Sequence, residues 1–104
     1  MSKIALIAKL TAAEGKADDL KTALGELIAA ADSEPGLEIY SVHADQAEEG
    51  VFWFYELYTD AGALEVHGKG DEMKAAMGAL GGLLGGRPEV MRLSPVAAKG
   101  IAIS

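Results

Sequence analysis

The sequence contains no cysteine and no asparagine, and it has only two histidines, three prolines and nine lysines and arginines. Without cysteine the chain has no disulfide, no thiolate nucleophile and no zinc–thiolate site. The scattered cations and a net charge of −7 at pH 7 argue against nucleic acid or an anionic membrane as a partner. The apolar runs are too short for a membrane-spanning helix or a signal-peptide core, so we expect a cytoplasmic location.

The length and the apolar content bound the architecture. A chain of 104 residues fits one small domain, residues 1–104. Half of the residues are hydrophobic, which is a high share for a monomer of this size. We therefore expect a second copy of the chain to cover part of the apolar surface.

Most aromatic and imidazole side chains lie between Val51 and His67, and the only others are Tyr40 and His43. Thr59 and Asp60 are typical of a helix start, because a short side-chain oxygen can accept from the first free amides. The preceding residues alternate between two large faces, which indicates a central strand covered on both sides. One face has Val51, Trp53, Tyr55 and Leu57, and the other has Phe52, Phe54, Glu56 and Tyr58.

The remaining hydrophobic patterns predict three more strands, a first helix and a second helix in two parts. The predicted strands are 3–10, 37–44 and 89–93; the first helix is 17–31; the second begins at Asp60, breaks at 68–70 and restarts at Asp71. Glu34-Pro35-Gly36 ends the first helix, because proline disfavours helical geometry in the residue before it. The polar loop 45–50 predicts a hairpin whose register stays open. We expect the inner stripe of the restarted helix to be Met73, Met77, Leu80 and Leu84.

The order strand, helix, strand, strand, helix, strand predicts an α+β fold. With right-handed crossovers, this βαββαβ order gives a ferredoxin-like sandwich with a four-stranded antiparallel sheet and both helices on one face. The uncovered sheet faces of two copies would then pack together as a homodimer. The apolar tail, residues 95–104, is expected to occupy a groove on the partner subunit.

Several short motifs in this order resemble the antibiotic biosynthesis monooxygenase domain of the dimeric α/β-barrel superfamily. They are Glu34-Pro35-Gly36, Tyr40, the acidic loop 45–50, Tyr55-Glu56-Leu57-Tyr58, Asp60 and Ala63-Leu64-Glu65-Val66-His67. The resemblance implies a dimeric α/β barrel and an oxygenase that needs no metal or organic cofactor. Tyr58 stands where many members have tryptophan, and Glu72 where many have a second histidine. Haem-degrading members use an asparagine, so its absence argues against that activity.

His67 is the candidate base, because its ordinary titration lies near neutrality. It would take a proton from a phenol or quinol and leave an electron-rich anion that reacts directly with dioxygen. Glu56 and Tyr58 complete the candidate catalytic group, Glu56 orienting the base and Tyr58 binding a substrate oxygen. In the alternative interpretation, His67 only binds a backbone carbonyl and Glu56 only accepts from buried groups.

The candidate substrate-binding residues are aromatic. They are Tyr40, Trp53, Phe54 and Tyr55, of which Trp53 and Phe54 are also explained by core or dimer packing. His43 is expected to be exposed. An iron site made of His43, His67 and Glu56 is conceivable, but the spacing matches no metal motif, so we predict no metal.

These features together predict a monooxygenase for a small aromatic, quinol or polyketide-type substrate. Two other functions fit the same residues. One is an isomerase that uses His67 as a proton shuttle, and the other is a non-catalytic small-molecule-binding or stress-response module.

Overall fold

The computed structural model describes residues 2–103, and residue 72 by its backbone alone. The end of the predicted tail, Ser104, and the N-terminal Met1 lie outside the described residues. The elements are β1 (Ile4–Thr11), α1 (Ala17–Ala30), β2 (Leu37–Ala44), β3 (Val51–Tyr58), α2 (Ala61–Lys69), α3 (Asp71–Leu80) and β4 (Glu89–Leu93). None of the helices in this part of the chain has the length and apolarity needed to cross a membrane.

The four strands form one antiparallel sheet in the order β2-β3-β1-β4. This order and the helices between the strands confirm the predicted ferredoxin-like α+β fold. The sheet is open, with β2 and β4 at its edges. The dimeric barrel and the homodimer therefore stay predictions.

One face of the sheet packs against the helices and forms the core. Its side chains alternate along β1 and β3, as a strand with one covered face requires. The buried cluster joins them to leucines of α1 and to two residues of α3. Its members are Leu6, Ala8, Leu10, Leu20, Leu24, Leu27, Phe52, Phe54, Tyr58, Met73 and Leu80. Of the predicted α3 stripe, Met73 and Leu80 are buried, whereas Met77 is 43% exposed.

The start of α2 is fixed by a side-chain cap and by a close backbone approach. Asp60 accepts a hydrogen bond from the backbone N–H of Ala63 at 2.9 Å, as the sequence predicts. Gly36 lies directly against the same turn, so that a Cβ added there would overlap with the Cβ of Ala63. The backbone N–H of Thr59 also donates to the carbonyl of Gly36 at 2.9 Å. The turn before β2 and the first turn of α2 are therefore held together.

The other face of the sheet is not covered by helices. Trp53 and Tyr55 lie on it beside Lys9 and Ile7 of β1, and both are only half-buried. The indole N–H of Trp53 donates to Asp45 at 2.9 Å, and the Lys9 ammonium lies 5.5 Å from the centre of the indole ring. Val51 and Leu57, at the two ends of β3, are nevertheless buried on this face. Within a single copy, β3 is thus covered along its whole length on the helix side and only at its two ends on the other side.

Candidate active site

A cavity of about 280 Å³ lies between the helix-covered face of the sheet and the three helices. It is lined by Leu6, Ala8, Leu10, Leu27, Tyr40, Phe54, Glu56, Tyr58, Leu64, His67, Gly68, Met73, Met77, Pro88 and Val90. A larger depression of about 340 Å³ is formed by the loops around Gly15 and Gly50, and it is lined by small and acidic residues. Only the first cavity contains histidine and tyrosine among its described lining residues, so it is the candidate site.

His67 is held in the cavity wall between two carboxyl groups. It is buried in α2, and its Nδ1 lies 2.6 Å from Oε2 of Glu34 in the turn before β2. Its Nε2 lies 3.9 Å from Oε1 of Glu56 on β3. A neutral His67 that donates through Nδ1 to Glu34 presents the lone pair of Nε2 toward Glu56 and the cavity.

Glu56 is a buried carboxyl group that shares a sheet face with Tyr58. The Tyr58 hydroxyl donates a hydrogen bond to Oε1 of Glu56. Burial raises the pKa of the Glu56 carboxyl above its ordinary value, and the Tyr58 hydrogen bond and the His67 charge oppose this shift. Burial, followed by the hydrogen bond to Glu56, also raises the pKa of Tyr58. Tyr58 is therefore a neutral hydrogen-bond donor over the physiological range.

Tyr40 brings a second hydroxyl group to the cavity from β2. Its ring stacks on Phe54 with centroids 5.2 Å apart and meets the edge of His67 at 5.1 Å. Burial, with the nearby charge of Glu56, raises the pKa of Tyr40. Among the side chains and backbone groups that the structure describes, none is hydrogen-bonded to its hydroxyl, which lines the cavity and can donate to a ligand there.

The structure brings together five of the predicted site residues: Tyr40, Phe54, Glu56, Tyr58 and His67. It does not bring Trp53 and Tyr55 to this cavity. Successive side chains of a strand point to opposite faces, so these two lie on the other side of the sheet, and their substrate-binding role stays a prediction that this cavity does not support.

The exposed His43 lies beside Trp53 on the uncovered face and shares a contact of 2.9 Å with Ser41. It is therefore separated by the sheet from His67 and Glu56, and the three do not form the iron site considered above. Within the described part of the chain, no group of three or more histidine or acidic side chains is arranged to hold a metal ion. The side chain of Glu72 lies outside the described part.

Glu34 is a site residue that the sequence pattern marks only as part of the turn ending α1. It reaches His67 across 33 positions of the chain, because Gly36 allows that turn to sit against α2. A signal was present in the motif Glu34-Pro35-Gly36, which the resemblance already includes. That Glu34 contacts His67 becomes visible only in the folded structure.

Comparison with solved structures supports the fold and the family. A candidate antibiotic biosynthesis monooxygenase from Caulobacter crescentus is 33% identical, with 92% of each chain covered and a TM-score of 0.87. A Pseudomonas aeruginosa protein is 29% identical over 93% of this chain and 97% of that one, with a TM-score of 0.85. A Mycobacterium tuberculosis protein at 24% identity, covering 93% and 98% of the two chains with a TM-score of 0.84, shares the fold.

No curated protein matches this sequence. The sequence model of the family described as antibiotic biosynthesis monooxygenase matches residues 3–79, which include β1, β2, β3, α1, α2 and all but the last residue of α3, but not β4. This match takes in Glu34, Tyr40, Glu56, Tyr58 and His67. With well over half of the chain matched and the fold shared, this protein belongs to the antibiotic biosynthesis monooxygenase family.

Proposed function

We propose that this protein is a monooxygenase that oxidises a small hydroxylated aromatic compound without a metal or organic cofactor. The observation that carries the proposal is the placement of His67, with Nδ1 on Glu34 and Nε2 directed to an apolar cavity beside Glu56. This arrangement supplies a base whose proton-accepting nitrogen is defined by a carboxylate on the other nitrogen. The cavity volume of about 280 Å³ is near the lower end of the range for small-molecule sites, roughly 300 Å³ upward, which favours a compact substrate.

In the proposed reaction, Nε2 of His67 takes the proton from a ring hydroxyl group. The resulting anion supplies electrons to dioxygen, and one oxygen atom forms a bond to a ring carbon that loses its hydrogen. The other oxygen atom leaves as water. A dihydroxybenzene and O₂ thus give a hydroxyquinone and H₂O, and the substrate provides all four electrons.

The other polar groups of the cavity have separate roles in this scheme. The free hydroxyl of Tyr40 donates to the second oxygen of the ring, where negative charge develops. Glu56 receives the proton from His67 and returns it as water forms, with Tyr58 holding its carboxyl in place. The apolar walls keep water away from the anion, so that it meets dioxygen before it is protonated again.

The test is oxygen labelling with purified protein and a panel of small dihydroxybenzenes and dihydroxynaphthalenes under ¹⁸O₂. We expect one labelled oxygen atom in the product and one in water. His67→Ala should lower turnover by about 10² to 10⁴, the usual contribution of a general base. His43→Ala is the matched control, because His43 is exposed on the opposite face of the sheet, and it should retain turnover within about twofold. Equal turnover in both variants would remove His67 from the mechanism.

An isomerase is the second candidate, and the distance of 3.9 Å between Nε2 of His67 and Oε1 of Glu56 favours it. Two proton-accepting groups that face one cavity at this separation can take a proton from one carbon atom of a small carbonyl compound and return it at the neighbouring carbon atom. Such a product has the mass of its substrate and contains no ¹⁸O. Ligand binding without any turnover would instead support the non-catalytic binding module.

A further inference from the structure

The cavity has a polar side and an apolar side, and the sheet order explains why. All of its titratable side chains come from β2, β3 and α2, which adjoin one another at one edge of the sheet. The lining residues from β1, β4, α1 and α3 are apolar throughout. They are Leu6, Ala8, Leu10, Leu27, Met73, Met77 and Val90, and Pro88, which directly precedes β4, is apolar as well.

The polar side is closed, whereas the apolar side reaches the surface. Glu56 and His67 are each only 7% exposed. Met77 on α3 is 43% exposed and Val90 on the edge strand β4 is 56% exposed, although both line the cavity. The mouth between α3 and β4 is therefore apolar, which is costly for a site that takes a wholly polar ligand.

The charges in the wall also restrict the ligand. Among the described residues that line the cavity, none is lysine or arginine, and Glu34 and Glu56 flank His67. The two arginines near this mouth in the chain, Arg87 and Arg92, are exposed and lie outside the lining. A carboxylate on the ring would lose its hydration without gaining a cation.

Resting on the proposed function, we infer that the substrate is an uncharged dihydroxy ring with an apolar substituent that leaves the cavity between Met77 and Val90. The hydroxyl groups face His67 and Tyr40, and the substituent lies along the apolar side. The polar end of the ligand thus meets the polar side of the cavity, and its apolar substituent meets the apolar side.

The test uses three ligands that share one ring: hydroquinone, propylhydroquinone and 2,5-dihydroxybenzoate. Calorimetry under argon measures binding without turnover. We expect the affinity to rise by about fourfold for each buried methylene, which corresponds to about 0.8 kcal/mol, so propylhydroquinone should bind at least about tenfold more tightly than hydroquinone. The benzoate should bind more weakly than hydroquinone.

The mouth is tested by Val90→Asp, with Val96→Asp as the matched control. Val96 is the same residue type six positions further along the chain and is 92% exposed. Val90→Asp should abolish the gain from the propyl group, so that propylhydroquinone and hydroquinone bind this variant with affinities that differ by less than about twofold, because the substituent then meets a charge instead of an apolar side chain. Val96→Asp should retain the gain. If Val90→Asp does not fold by circular dichroism, Met77→Gln makes the same test from α3.

The inference is overturned if the propyl group gives no gain in wild type, if the gain survives at the mouth variants, or if the benzoate binds best. Failure of the proposed function has a different signature. Propylhydroquinone would then bind as expected under argon, but admitting oxygen would give no labelled product.

Discussion

Glu34 orients the candidate base through a single short contact, Oε2 to Nδ1 of His67 at 2.6 Å. Glu34→Gln preserves the shape of the side chain but removes its negative charge, so the proton is no longer favoured on Nδ1. In a comparable triad, replacing an orienting carboxylate by its amide costs about 10⁴ in turnover, and we expect a loss of at least about 10² here. The measurement is kcat together with the ¹⁵N spectrum of His67, which distinguishes the two tautomers without any substrate.

Glu65→Gln is the control for that experiment, because Glu65 is an exposed glutamate on α2, the same helix as His67, and pairs with Lys69. It should leave both the tautomer and turnover unchanged. An unchanged tautomer in Glu34→Gln would show that the surrounding wall, and not Glu34, fixes the ring.

The raised pKa of Glu56 predicts that the stability of the protein depends on pH. Burial raises the folded-state pKa of this carboxyl above its ordinary value of 4.5, so the folded protein holds the proton more tightly than the unfolded chain. The resulting stabilisation is complete below pH 4.5 and is lost as pH rises through the folded-state value. Compared with Glu56→Gln, the wild type should therefore have its larger free energy of unfolding near pH 4 and its smaller one near pH 8.

Urea unfolding of the two proteins at both pH values measures this difference, with Glu65→Gln as the reference for loss of an exposed carboxylate. Subtracting the free energy of unfolding of Glu56→Gln from that of the wild type at each pH removes the contribution of titrating groups that both proteins share. A difference that grows in the opposite direction, toward pH 8, would mean that Glu56 is stabilised as the anion.

At the scale of elements, the position of α2 depends on the glycine in the turn before β2. Gly36→Ala should destabilise the protein by about 1 to 3 kcal/mol, because the added Cβ overlaps with Ala63. The overlap should also displace the turn before β2 from α2, which would separate Glu34 from His67 and lower turnover. In Gly36→Ala/Ala63→Gly the overlap is removed, so the double variant should lose less stability than the sum of the single variants.

Gly25→Ala is the matched control, since Gly25 lies within α1 and an added Cβ there meets nothing within 4 Å. It should stabilise the protein by roughly 0.5 to 1 kcal/mol, the usual gain for alanine in a helix. Chemical denaturation followed by circular dichroism gives all four values. Strict additivity of Gly36→Ala and Ala63→Gly would contradict the proposed contact.

The elements themselves could be predicted because each has a clear local signal. The two faces of residues 51–58, the cap at Asp60 and the break at 68–70 depend only on neighbours in the chain. The structure confirms the faces and the cap, and it narrows the break to Gly70, between Lys69 of α2 and Asp71 of α3. The register of the hairpin decides which face of β3 lies beside Tyr40, and the loop 45–50 does not determine it. The sequence also does not show which of the two large faces of β3 meets the helices. The sequence therefore predicts substrate-binding residues on both faces of β3, Trp53 and Tyr55 on one and Phe54 on the other.

The site was predictable to the extent that one strand and one helix create it. Glu56, Tyr58 and His67 lie within twelve residues of one another, and they meet because α2 follows β3 directly. Glu34 approaches from a different part of the chain, through a close packing contact that hydrophobic periodicity does not encode. The apolar mouth at Val90 likewise depends on β4 being an edge strand.

At the scale of the whole molecule, two features of the surface bear on self-association. The sheet face opposite the helices presents half-buried Trp53 and Tyr55 together with Met91 and Leu93, which are 47% and 43% exposed. The chain also carries a net charge of −7, so two copies repel each other. Association through the sheet must therefore be driven by apolar contact and opposed by charge.

We predict a homodimer in which these two sheet faces pack together, with light scattering giving about twice the chain mass at micromolar concentration. Because the copies repel, the dimer should tighten as salt is raised from about 0.02 to 0.3 M, where the Debye length becomes shorter than the dimensions of the interface. Met91→Glu places a charge on the packing face and should shift the protein toward monomer, by a cost of several kcal/mol if the carboxylate is buried unpaired. Val96→Glu adds the same charge at a site that is 92% exposed and should leave the mass unchanged. A folded wild-type monomer, or a dimer indifferent to Met91→Glu, would assign the interface to another surface.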